Sequence, residues 1–135
     1  MTAAPAYKKW LNKAYEDELS AGSILKHADG APSTVCFLSQ QMGEKLLKAL
    51  LQGVRIRFQK EHDLSKLGAL LITKYPEVAE YENDFKLLNR FYIDARYPGD
   101  IEEFSFSDAE AAFAAALRIK DFVMQKIEIG VTPDK

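Results

Sequence analysis

Apolar side chains in this chain recur at steps of three and four residues and almost nowhere alternate, and this periodicity limits the possible folds more than any other feature. From about Pro5 to Ala28, Tyr7, Trp10, Leu11, Ala14, Ala21 and Leu25 share a face and leave Glu16, Asp17 and Glu18 mostly toward solvent. Asp29-Gly30-Ala31-Pro32-Ser33 ends that helix, because glycine accepts positive φ and a proline pushes its predecessor out of the α region. A second helix is predicted from about Ser33 to Gly53, striped by Val35, Leu38, Met42, Leu46 and Ala49 and widened by Phe37, Gln41 and Leu50. As the most apolar of the set, it is expected at the centre. A short third helix carries Leu64, Leu67 and Leu71 on one face and stops at Tyr75-Pro76. A fourth, from about Glu77 to Ala95, bears Val78, Tyr81, Phe85, Leu88 and Tyr92, with Arg90 and Arg96 near its end to complement the macrodipole. Pro98-Gly99 breaks the chain, and Ser107-Asp108-Ala109-Glu110 reads as a capping box opening a fifth helix that runs to about Ile127.

No segment alternates over strand length, so the expected fold is all-α. Long helices joined by short turns pack antiparallel. The architecture predicted is an up-down four-helix bundle with an additional short helix across one end, about five helices in all. An apolar fraction of 47% over 135 residues closes one core, and no Gly/Pro-rich linker divides the chain, so residues 1–135 are read as a single domain.

The formal charge of −2 means that any nucleic acid or anionic surface would need a local patch. Apolar runs are too short for a membrane span, and there is no basic-then-apolar leader, so no membrane association and a cytoplasmic location are expected. Cys36 is the sole cysteine and His27 and His62 are the only histidines. Without a CxxC, a Cys/His set or a Glu-x-x-His, neither a metal site nor a cofactor is expected.

One stretch stands out for chemistry. Arg55, Arg57 and Lys60 precede His62 and Asp63, with Lys45 and Lys48 close by on the second helix, while the acidic residues concentrate elsewhere. Such a patch can receive phosphate, since arginine offers a planar fork and lysine a point charge. It also serves as a plain connector whose cations offset the dipole of the second helix. Asp63 suits an N-cap, which sets His62 at the mouth of the third helix, where it could transfer a proton. Gln40 and Gln41 read as satisfied buried amides, and Gly43 as a point of close backbone approach. Arg96-Tyr97-Pro98 is a helix stop whose cation and ring could reach a nucleotide, and Tyr75, Tyr92 and Tyr97 are expected to be exposed.

Trp10, the run from Cys36 to Leu50 with Gln40-Gln41-Met42-Gly43-Glu44-Lys45 at its heart, His62-Asp63-Leu64 and Ala95-Arg96-Tyr97-Pro98 together resemble the HEPN domain (higher eukaryotes and prokaryotes nucleotide-binding) over about residues 7 to 127. The resemblance implies an all-α bundle, commonly a homodimer, in a family of three kinds. Some members partner a minimal nucleotidyltransferase in toxin–antitoxin modules. Others are metal-independent endoribonucleases with an Arg-x4-6-His motif, and many have lost the motif and act as binding modules. Arg57 and His62 fit Arg-x4-His, with Phe58 where active members carry a small polar residue. The leading expectation is a dimeric nucleotide- or RNA-associated module, partnering a nucleotidyltransferase and without catalysis carried by this chain alone. It places phosphate contacts at Lys45, Arg55, Arg57, Lys60, Arg96 and Tyr97. One alternative is an endoribonuclease using Arg57 and His62 across a two-fold axis, and the other is a helical adaptor with no nucleotide ligand.

Overall fold

The computed structural model describes residues 5–92 and 103–130, and these form helices with no strand among the described residues. The elements are α1 (Ala6–His27), α2 (Pro32–Gly53), α3 (Leu64–Leu71), a 3-10 segment (Pro76–Tyr81), α4 (Glu82–Asn89) and α5 (Phe106–Gly130). None of the helices is long and apolar enough to cross a membrane, among the described residues.

Side-chain pairs fix the directions. Trp10 bonds Gln52 and Asp17 pairs with Lys45, so residue numbers fall on α1 as they rise on α2, an antiparallel hairpin. Glu18 meets Lys120 and Gly22 faces Phe113, so α5 also opposes α1. Asp84 meets Arg118 and Glu77 meets Lys126, which sets α4 against α5, and Asn89 reaches Leu64 while Phe85 covers Gly68, which sets α3 against α4. The all-helical up-down bundle expected from periodicity is therefore the observed one. One connection is not a hairpin: residues 54–63 fold back along α2, so that α3 starts beside Gly43, at the middle of α2, and runs the same way as α2. The short helix was expected across one end instead.

The central element is α2, which contacts all four other helices. Its Val35, Met42, Leu46, Leu47, Leu50 and Leu51 are buried with Leu64, Leu67, Leu71, Phe85, Leu88, Ile119 and Val123 in one core. Each fully buried leucine contributes about 1.5–3 kcal/mol of transfer free energy. At Gly43 the close approach is made by side chains. A Cβ there would lie 2.9 Å from Leu64 Cδ2 and 3.1 Å from Leu88 Cδ1.

Local signals account for most boundaries. Pro32 occupies the first turn of α2, where its missing N–H is no loss. The left-handed residue ending α1 is Ala28 at φ 51, two positions before Gly30 at φ 75. Asp63 caps α3 through Oδ1, which accepts from Ser65 N at 2.8 Å and Lys66 N at 3.3 Å. The capping box of α5 lies two residues earlier than expected. Ser105 Oγ accepts from Asp108 N at 3.1 Å and Asp108 Oδ2 accepts from Ser105 N at 2.9 Å, so Ser107 is already helical. Both frames satisfy Ser-x-x-acid, and the earlier one wins with Phe104 anchored edge-on against Phe91, centroids 4.8 Å apart. The predicted fourth helix is divided. Pro76–Tyr81 is 3-10, whose three-residue repeat gives Val78 and Tyr81 a common face, and only Glu82–Asn89 is α. The part of that expectation beyond Tyr92 lies outside the described residues.

Candidate functional site

The connector begins with strain. Ile56 N donates to Leu51 O at 2.9 Å and Arg55 N to Gln52 O at 3.1 Å, the two bonds of a Schellman motif with Arg55 in the left-handed position at φ 63. Glycine would adopt that conformation at about 1 kcal/mol less. Ile56 and Phe58 are then half-buried while Arg55, Arg57 and Gln59 are exposed, as alternation along extended backbone requires.

Returning along α2, the segment covers a chain of buried polar groups. Glu44 and Lys48 are each 5% exposed and pair at 2.8 Å through Oε2 and Nζ. Burying these charges is tolerable because each is paired and further contacted. The Lys48 ammonium lies 5.4 Å from the Trp10 ring centroid and 5.9 Å from that of Phe58. Trp10 in turn donates from Nε1 to Gln52 Oε1 at 2.7 Å. One turn away, fully buried Gln40 donates from Nε2 to Glu44 Oε1 and to the His62 carbonyl, both at 3.2 Å. His62 Nδ1 lies 3.0 Å from Glu44 Oε1, and its ring stacks on Tyr92 with centroids 4.5 Å apart and planes 17° from parallel. Glu61 Oε2 accepts from the backbone N–H groups of His62 and Asp63, at 3.0 and 3.1 Å.

Two open grooves flank the connector. The larger, about 620 Å³, is lined by Arg57, Phe58, Gln59, Glu61, Lys66 and Leu70. The second, about 490 Å³, shares Arg57 and Phe58 and adds Gln52, Arg55 and Ile56. Arg57 and Lys60 have no ion-pair partner among the described residues, and Lys66 stands 3.9 Å from Glu61 in an exposed, weakly held contact. The walls thus combine cations with an apolar floor of Ile56, Phe58 and Leu70.

Of the residues predicted from sequence, Arg55 and Arg57 line the grooves and exposed Lys60 sits on the same segment. Lys45 is turned to α1, 2.7 Å from Asp17. His62 lies one residue beyond the groove wall, with Nδ1 on Glu44 and its ring on Tyr92, and it is not among the groove residues. Arg96 and Tyr97 lie outside the described residues. Lys66 and Leu70 were missed. They occupy the face of α3 opposite Leu64, Leu67 and Leu71, and the four-residue step between them was the available signal.

Two other groups are structural. Tyr75, expected to be exposed, is half-buried edge-on to Phe122 at 6.2 Å, and burial raises its hydroxyl above the usual tyrosine range. Cys36 is fully buried, and burial pushes its thiol up to about 11, which leaves it no thiolate at neutral pH.

Comparison with known proteins agrees with this architecture. The chain is similar to ST0689, an archaeal HEPN homologue of known crystal structure, with a TM-score of 0.72 and 28% identity over 90% of this chain and 97% of that one. No curated protein matches significantly. The family model for the HEPN domain matches residues 7–127, nearly the whole length of the bundle and its connector. The chain belongs to the HEPN domain family.

Proposed function

We propose that this HEPN chain is a nucleotide- or RNA-binding module that takes phosphate at the connector grooves, acts as a homodimer and works beside a minimal nucleotidyltransferase in a toxin–antitoxin-type pair. The observation that carries the binding reading is the pair of grooves sharing Arg57 and Phe58, where Arg57, with Lys66 in one groove and Arg55 in the other, flanks an aromatic and aliphatic floor, the Glu61 carboxylate standing in the wall of the larger. Phosphate oxygens suit the guanidinium and ammonium groups, and a base or ribose suits the floor. Arg55 adds support, since a charged residue occupies a backbone position that favours glycine. The nucleotidyltransferase partner is an expectation carried by family membership alone.

The test is Arg57→Gln with Lys60→Gln and Lys66→Gln, assayed by fluorescence anisotropy with a labelled uridine decamer across a salt series. Binding should weaken at least tenfold at low salt, and the slope of log affinity against log salt should flatten by about 0.7 for each phosphate that is no longer neutralised. Unchanged affinity and slope would refute the groove as the phosphate site.

One contact favours the endoribonuclease reading. A carboxylate on Nδ1 is how many catalytic imidazoles are oriented. Against it, Arg57 lines the groove while His62 turns toward Glu44 and Tyr92. Cleavage of the same decamer in EDTA, abolished in His62→Ala, would establish that activity.

A further inference from the structure

A carboxylate stands in a groove otherwise suited to anions. Glu61 lines the larger groove together with Arg57 and Lys66, over the floor of Phe58 and Leu70. For phosphate alone it is a liability, since like charges repel. Its two oxygens are not equivalent. Oε2 accepts from the backbone N–H groups of His62 and Asp63 at 3.0 and 3.1 Å, which holds the carboxylate at the entrance to α3 and fixes its direction. Oε1 is turned to Lys66 Nζ at 3.9 Å, beyond hydrogen-bond distance, so this lysine leaves its lone pairs open. Because Lys66 itself lines the groove, the oxygen nearest it lies on the groove side. The side chain of Glu61 is 33% exposed, so a ligand can reach Oε1 while Oε2 stays anchored.

We propose that Glu61 is a specificity-determining residue of this groove, its Oε1 accepting from the exocyclic amino group of a nucleobase whose phosphate lies on Arg57 and Lys66. The assignment rests on the nucleotide reading above and narrows it. A carboxylate only accepts, so it favours a ligand that brings N–H donors as well as an anionic group. Cytosine does so through its N4 amine, and adenine and guanine through theirs, whereas uracil sets an oxygen where cytosine has the amine. The groove, about 620 Å³, has the size of a small-molecule site, and Phe58 offers a ring for the base to stack on. Lys66, 71% exposed on a flexible stem, can turn to the phosphate without breaking a hydrogen bond to Glu61. The cations then hold phosphate and the carboxylate selects cytosine, adenine or guanine over uracil.

Matched pyrimidine oligomers test this on the full-length wild type, by fluorescence anisotropy at neutral pH. A labelled cytidine decamer should bind about three- to tenfold more tightly than the uridine decamer, the worth of one net hydrogen bond. A decamer of N4,N4-dimethylcytidine, which keeps the ring and loses both donors, should bind no better than uridine. Glu61→Gln then asks whether the carboxylate is the reader. Its amide oxygen must stay on the two backbone N–H groups, because an amide nitrogen cannot accept from them, so Nε2 takes the place of Oε1 and presents a donor. The preference for cytidine should vanish or turn toward uridine. Removing the charge should tighten both oligomers, so the ratio of affinities is the measure. A Glu61 that only holds the entrance to α3 would leave that ratio unchanged. Equal wild-type binding of cytidine and uridine overturns the base readout, as does dimethylcytidine binding like cytidine, or a preference that survives in Glu61→Gln. In those cases a uridine affinity that still falls on loss of Arg57, Lys60 and Lys66 keeps the phosphate groove. Binding of none of the decamers sinks both the nucleotide reading and the base readout.

Discussion

Asp17 and Lys45 lie 2.7 Å apart, yet the pair is no simple gain. Burial raises the Asp17 carboxyl above its ordinary value, and the hydrogen bond and charge of Lys45 only partly reverse this. The sign then follows. Between the ordinary carboxylate value and the raised one, the unfolded chain has released its proton and the folded chain still holds it, so stability falls as pH rises through that window. Asp17→Asn copies the protonated form. At pH 7 it should melt no lower than the wild type, and its stability should decline less as pH rises above the ordinary carboxylate range, as thermal melts across pH will show. A clear loss of stability at neutral pH would mean that the ion pair outweighs its desolvation.

At the scale of elements, α3 depends on having no side chain at Gly68. A Cβ there would fall 2.5 Å from Cε2 and 3.2 Å from Cδ2 of the buried Phe85 ring, which cannot yield as the end of an aliphatic chain can. Gly68→Ala should therefore lower stability by about 1–3 kcal/mol from overpacking, despite gaining up to about 1 kcal/mol in helix propensity. Denaturant titration measures the difference. Gly43→Ala, which meets only leucine and isoleucine methyl groups, should cost less. Such local features divide by how far their partners lie along the chain. The Asp63 cap and the α1–α2 turn were legible because their partners are neighbours. The alternation Val54-Arg55-Ile56-Arg57-Phe58-Gln59 was also written in the sequence, long enough for a strand yet passed over in a reading led by helical periodicity, and it marks the extended connector. The Glu44–Lys48 pair follows from i,i+4 spacing on one helix, but its burial under Trp10 and Phe58 was not legible, because that cover forms only once the connector has turned back along α2.

For the whole molecule, the surface left open by the bundle matters most. Tyr15 and Leu19 on α1 are 56% and 54% exposed, and Tyr15 helps line an apolar cleft of about 300 Å³ with Leu11, Met42, Leu46 and Met124. A homodimer through α1 and the neighbouring surface of α5 would cover it. Sedimentation at micromolar concentration should give a dimer, and Tyr15→Glu with Leu19→Glu should give a folded monomer. A monomeric wild type would remove the composite site that the endoribonuclease reading requires. The returning connector also bears on how the chain reaches this state. The α1–α2 hairpin needs only contacts close in sequence, whereas the grooves need Gln52, Phe58, Lys66 and Leu70 together and the stacked histidine needs Tyr92. During synthesis the helices up to Gly53 can already pair, but the surface offered to a phosphate is assembled only after the connector and α3 have also left the ribosome and docked, so recognition lags behind the first pairing of helices.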